Sequence, residues 1–202
     1  MSNIESQFTL DEAYHFIWCL KCLKVKHGLD LLDINPSFLR KIFGPYILNN
    51  LTRTDDDIRD AVHLWITDSD AAIEKYGHIS QWDVSRVTNM NSLFRNCVSF
   101  NEDISNWDTQ NVTDMSCMFN HAISFNEPID RWNTENVTDM SYMFSLAKSF
   151  NQPIGEWNTH NVTNMSNMFS GATFFNQPIG TWNTEKVANM GGMFFAATHF
   201  QF

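Results

Sequence analysis

Ile154-Gly-Glu-Trp157-Asn-Thr-His-Asn-Val162-Thr163-Asn-Met165-Ser-Asn-Met168-Phe169-Ser-Gly-Ala172-Thr-Phe-Phe175-Asn176-Gln-Pro178 is one copy of a 25-residue unit that the chain writes five times from Ile79 onward. Trp82, Trp107, Trp132, Trp157 and Trp182 recur at this constant interval, and Val87, Val112, Val137, Val162 and Val187 keep the same step. So do Met90 to Met190, Phe94 to Phe194 and Phe100 to Phe200. Self-similarity at a fixed period of this length marks stacked units, each of which buries its apolar face on a neighbour because it cannot bury it alone.

Within a unit, Met140, Met143, Phe144 and Ala147 stand at i, i+3, i+4 and i+7, the spacing of one helix face. Thr138 and Asp139 precede them as cap candidates. The other half, from Phe150 to Thr159, carries Pro153 and spaces Ile154 and Trp157 as a short buried strand would. The expected fold is an α/β repeat solenoid of five coils over residues 79–202, each a short helix plus a short strand, with an all-α N-terminal cap over residues 1–78. Asn101, Asn126, Asn151 and Asn176 directly follow the periodic phenylalanine. An amide both donates and accepts, so a column of asparagines is expected to satisfy turn backbone between coils. These asparagines and the five tryptophans are the expected structural ladders.

The string Trp-Asn-Thr-x-x-Val-Thr-Asp/Asn-Met-x-x-Met-Phe-x-x-Ala-x-x-Phe-Asn-x-Pro-Ile resembles the 25-residue repeat of the BspA-like, mycoplasma surface-lipoprotein family, a divergent relative of leucine-rich repeats. The resemblance spans the repeat part of the chain. It implies a leucine-rich-repeat-like solenoid without catalysis, used for protein recognition. Bacterial members carry a secretion signal and a lipid-attachment cysteine. The start of this sequence, MSNIESQFTLDEAYHF, is acidic and shows neither. The expectation is therefore an intracellular, cytoplasmic protein, with surface exposure only for a chain that has lost an upstream segment.

In the first 78 residues, Thr9-Leu10-Asp11-Glu12 has capping-box spacing and predicts a helix to about Lys26. A second helix is expected from Pro36, and a third from Thr54-Asp55-Asp56-Asp57, with three carboxylates in its first turn and Ile58, Ala61, Val62 and Trp65 on its buried face. A further turn or two runs from about Asp68 to Tyr76 and stops at Gly77. Cys19 and Cys22, with His15 and His27, have zinc-like spacing, but a straight helix cannot converge the two histidines on the pair. Buried structural thiols are expected instead, with no metal and no cofactor. The stretch from Leu32 to Phe43 is distantly similar to the start of an F-box, which gives a second reading: an adaptor that presents the repeats for substrate recognition.

The chain carries 13 basic and 23 acidic residues, split 8 to 12 before Ile79 and 5 to 11 after it. An acidic surface repels phosphate backbones and anionic lipid, which argues against nucleic-acid and membrane partners. Nearly every polar residue of the repeats sits in a register position shared by all copies, whereas a catalytic group must be singular. The singular residues His121, Tyr142, Lys148 and His160 have no base or oxyanion partner in the sequence, so no enzyme is expected. Variation between copies is more informative. Three residues after each tryptophan stand Ser85, Gln110, Glu135, His160 and Glu185; ten after stand Ser92, Cys117, Tyr142, Asn167 and Gly192. Positions released from the core face solvent, and Glu135, Tyr142 and His160, flanked by Gln110 and Asn167, form the expected protein-binding patch. The apolar last coil, with Phe194, Phe195 and Phe200, predicts self-association or partner docking through that end.

Overall fold

Backbone accounting decides the structure of the repeats. Each repeat must place its N–H and C=O groups, and a helix would spend them internally at i to i−4. In the computed structural model, which describes residues 51–201 of the compact unit Leu51–Phe202, they are spent differently. The N–H groups of Met140, Tyr142, Phe144 and Leu146 donate to the carbonyls of Asn164, Ser166, Met168 and Ser170 in the next repeat, at 2.9, 2.9, 2.9 and 2.7 Å. The intervening N–H groups of Met143, Ser145 and Ala147 close turns inside the repeat, on Met140, Tyr142 and Phe144. Bonds to the next repeat thus alternate with bonds inside the repeat from Met90 to Ala172, and in the last repeat the bonds inside the repeat continue to Ala197.

The short helix expected at Met140–Ala147 is therefore absent, and a chain of β-turns replaces it. Its hallmark is a left-handed residue at every fourth position: Tyr142 has φ 56° and Leu146 φ 60°. Equivalent residues are Ser92 and Asn96, Cys117 and His121, Asn167 and Gly171, and Gly192 and Ala196. Each left-handed residue undoes the winding that a helix would continue. A turn chain of period four and a helix of period 3.6 place the same apolar residues inward over eight positions, which is why the spacing alone reads as helix. Met140, Met143, Phe144 and Ala147 are all fully buried.

The expected strand is also displaced. Gly155 and Glu156 form a turn, while the parallel bridges between repeats run through Asn89, Asp114, Asp139, Asn164 and Asn189. Asp139, expected as a helix cap, instead accepts from the N–H of Ser141 at 2.7 Å and starts the turn chain as an Asx-turn. Between these bridges and the turns lies a core of stacked rings. Phe144 and Phe150 lie face to face at 3.8 Å, and each stacks on its counterparts in the flanking repeats, Phe144 at 5.7 Å from both Phe119 and Phe169. Trp107 stacks on Trp82 at 6.3 Å and on Trp132 at 6.4 Å, and Trp157 on Trp182 at 6.4 Å.

Ahead of the first repeat come β1 (Thr52–Thr54), α1 (Ile58–Thr67) and α2 (Ser69–Tyr76), then a 3-10 turn at Ile79–Gln81 and β2 (Asp83–Arg86). β1 pairs parallel with β2 through Thr52–Asp83 and Thr54–Arg86. α1 buries Ile58, Ala61, Val62 and Trp65, and its Trp65 meets Trp82 edge-on at 6.2 Å. Two of the three aspartates expected in its first turn are used elsewhere: Asp57 accepts from the N–H of Thr54 at 2.8 Å, and Asp55 reaches the first repeat. Asp68 caps α2 by accepting from the N–H of Ala71 at 3.0 Å. The readings made for residues 1–50, namely the first two helices, Cys19 and Cys22 with His15 and His27, and the F-box-like stretch, lie outside the described residues.

The left-handed backbone can be tested by sign. A side chain in this region costs about 1–2 kcal/mol that glycine does not incur, whereas glycine inside a helix costs about 1 kcal/mol. Tyr142 is 42% exposed, so its removal sacrifices little packing. Tyr142→Gly is expected to raise stability by about 1 kcal/mol and Tyr142→Val to lower it, read from urea unfolding midpoints. A loss of stability in the glycine variant would restore the helix.

Candidate functional site

The repeat sequence offers many polar side chains, and most are consumed in holding one repeat to the next. Each buried tryptophan must satisfy its indole N–H. Trp107, Trp132, Trp157 and Trp182 donate from Nε1 to the carbonyls of Ile79, Ile104, Ile129 and Ile154, at 3.0 to 3.2 Å. Asn101, Asn126 and Asn151 each accept through Oδ1 from the backbone N–H of the asparagine one repeat on, at 2.7 to 2.8 Å. Asn176 accepts likewise from Gln201 at 3.0 Å. A second amide column escaped the sequence reading: Asn111, Asn136 and Asn161 donate from Nδ2 to the carbonyls of Ser85, Gln110 and Glu135. Thr109, Thr134 and Thr159 are buried hydroxyls that donate forward to Asn133, Asn158 and Asn183.

Three columns remain free to vary. The first holds Gln110, Glu135 and His160, where the Asp108, Asn133 or Asn158 side chain accepts from each backbone N–H. Glu135 is exposed, and the His160 ring sits 2.8 Å from Asn158 Oδ1. The second is a left-handed column that contains Tyr142 and Asn167. No hydrogen bond or ring contact among the described residues joins Tyr142 to Glu135 or His160, so the expected patch divides between two columns.

The third column, also left-handed, is Asn96, His121, Leu146, Gly171 and Ala196, fourteen residues after each tryptophan. It varies as freely as the other two, and that variation was the signal available in the sequence. Side chains of the two left-handed columns lean along the stack. A Cβ on Gly171 would lie 2.7 Å from Leu146 Cδ2, and one on Gly192 would collide with Asn167 Oδ1. His121 turns the other way, its Nδ1 lying 3.2 Å from Asn96 Oδ1. Tyr142 and Leu146, both 42% exposed, make the one repeat in which both columns carry large apolar groups.

At the first repeat the ladder is met by the segment before it. Thr113, Thr138 and Thr163 each donate through backbone N–H and hydroxyl to the threonine carbonyl one repeat earlier. Thr88 makes the same two bonds to the carboxylate of Asp55, at 2.9 and 2.6 Å, and Asn89 N–H adds a third at 3.0 Å. Burial pushes the Asp55 pKa up, but the bonds from Thr88 and Asn89, together with the Arg59 charge, outweigh it and hold the carboxyl below its ordinary value. Arg59 of α1 donates to the Asn91 carbonyl at 2.5 Å and to Asn89 Oδ1 at 3.0 Å. Beside it, Arg59, Val62, His63 and Ile66 of α1 face Ser92, Leu93, Arg95 and Cys97 across an open trough of about 300 Å³. Burial raises the thiol pKa values of Cys97 and Cys117, away from the reactive thiolate.

Among the described residues no helix is long and apolar enough to cross a membrane. No curated protein and no solved structure matches the chain. A family model described as Mycoplasma protein of unknown function, DUF285, matches residues 67–157 and, overlapping them, residues 127–202. The matched segments take in α2 and all five repeats, and with well over half of its length matched, the chain belongs to the DUF285 family of repeat-containing proteins.

Proposed function

We propose that the chain is a repeat solenoid of the BspA-like kind that acts without catalysis, as a scaffold for protein recognition. The observation that carries this reading is the division of labour within the repeat. Tryptophan, asparagine and threonine positions are occupied by bonds between repeats, while two columns of left-handed residues display side chains that differ in every copy. Non-glycine residues in that conformation are costly and persist where the surroundings impose them. Here the stack imposes them, and the side chains they carry are released for contact. Tyr142 with Leu146 supplies an amphipathic aromatic and an aliphatic group on adjacent turns, a combination suited to an interface anchor.

The test places a photo-crosslinking residue at Leu146 or, on the far side of the repeat sequence, at Pro153, which is also exposed. In cells producing the protein, a discrete adduct is expected from position 146, and Tyr142→Ala is expected to abolish it. Equal labelling from both positions, or an adduct indifferent to Tyr142→Ala, would remove the left-handed face from consideration.

A further inference from the structure

The trough between α1 and the first repeat carries a charge pattern unlike the rest of the described residues. Residues 51–202 hold 18 carboxylates and 8 basic side chains, yet two arginines and a histidine line this trough and no carboxylate does. The ion pair of Arg53 with Asp57 lies outside that lining. Arg59 spends two donors on Asn91 and Asn89, which fixes its guanidinium and leaves further N–H groups to donate. Arg95 is exposed, and its guanidinium makes no hydrogen bond or ion pair with the described residues. Between these cations lies an apolar floor: Val62 and Leu93 are buried, and Ile66 is 43% exposed. Val98, one residue past the lining, is 46% exposed.

We propose that this trough docks an acidic peptide segment of a partner protein, its carboxylates received by Arg59 and Arg95 and one apolar side chain laid on Val62, Ile66 and Leu93. The proposal rests on the scaffold reading, to which it adds the partner's chemistry at the first repeat. Charge complementarity selects this occupant. Guanidinium groups take carboxylates through paired N–H donors, and the strongly acidic remainder of the chain disfavours a phosphate polymer, which would have to lie across it. The volume, about 300 Å³, lies at the lower end for small-molecule pockets and accepts one large side chain of a peptide. A free anion would satisfy the arginines but leave Ile66 and Val98 uncovered.

The experiment titrates the full-length chain with a synthetic peptide of two aspartates, a phenylalanine and two aspartates, followed by backbone amide NMR and fluorescence polarisation. Signals of residues 59–66 and 92–98 are expected to shift. Arg95→Glu is expected to weaken binding about tenfold or more, and Arg131→Glu, a charge reversal at an exposed arginine outside the trough, to leave it unchanged. Replacing the peptide phenylalanine with glycine is expected to weaken binding, and replacing the aspartates with lysines to abolish it. Equal loss in the two arginine variants, shifts confined to other residues, no shift at all, or binding of the glycine peptide as tight as that of the phenylalanine peptide would overturn the proposal. Far-ultraviolet circular dichroism of the variants confirms that they fold. Because the crosslink at position 146 does not involve the trough, an intact crosslink with no peptide binding would sink this proposal and spare the scaffold reading.

Discussion

Phe144→Ala is expected to lower the free energy of unfolding by about 3–5 kcal/mol, the usual cost of emptying a phenylalanine site in a rigid core. The position leaves little room for a smaller loss. Phe144 is fully buried, lies 3.8 Å from Phe150, and touches the rings of Phe119 and Phe169 at 5.7 Å and Trp157 at 6.2 Å. Aromatic pairs contribute about 0.5–1.5 kcal/mol each beyond their buried area, and this side chain takes part in several. Collapse into the cavity is restrained because the repeats on both sides are held by backbone bonds at fixed spacing. Phe194→Ala provides the contrast. Phe194 is half-buried, and among the described residues its ring contacts are Phe169 and Phe200. Its expected cost is about 1–2 kcal/mol. Urea unfolding of both variants measures the difference, and equal costs would mean that the ring columns do not carry the stability of the stack.

The period of the repeat was legible because it is a consequence of stacking: a side chain that must touch its own counterpart in each neighbour recurs at a constant interval. The tryptophan spacing therefore pointed to ring columns, and the asparagine after each phenylalanine to an amide ladder. The secondary structure within the repeat was not legible from the same data. Met140, Met143, Phe144 and Ala147 satisfy a helix and a four-residue turn chain equally, and only the identity of the intervening residues separates the two. Asn96, Asn167, Gly171 and Gly192 occupy left-handed positions and tolerate them well, but Tyr142, Leu146 and Cys117 occupy the same positions and hide the signal. The trough was illegible for a different reason. It joins α1 to the first repeat across a long separation in sequence, and Arg59 and Arg95 are ordinary surface arginines until the fold brings them together. Asp55 was hidden in the same way: an aspartate ahead of a helix normally serves that helix, and here it closes the threonine ladder instead.

Removing one whole unit should be far less damaging than removing half of one. Deletion of residues 133–157 takes out one full period and joins Trp132 to Asn158, which recreates the Trp-Asn-Thr sequence and leaves every later residue in its column. In a quasi-one-dimensional stack, stability is a sum of unit and interface contributions, so this variant is expected to fold and to lose one unit and one interface. Deletion of residues 133–144 takes out close to half a period and joins Trp132 to Ser145. The repeats beyond the junction keep their spacing among themselves, but Phe150 is shifted by that half period from Phe125, and Phe169 loses Phe144, so they have no matched repeat to stack on. The indole of Trp157 loses the Ile129 carbonyl as its matched acceptor, and the Asn151 ladder no longer faces Asn126. The expected result is loss of ordered structure beyond the junction, seen as tryptophan emission shifted to the red and a smaller urea m-value. The longer deletion should keep native-like emission and an m-value reduced only in proportion to its lost surface. Should the two deletions unfold alike, the repeats would form one indivisible core, and the interchangeability on which the scaffold reading depends would be gone.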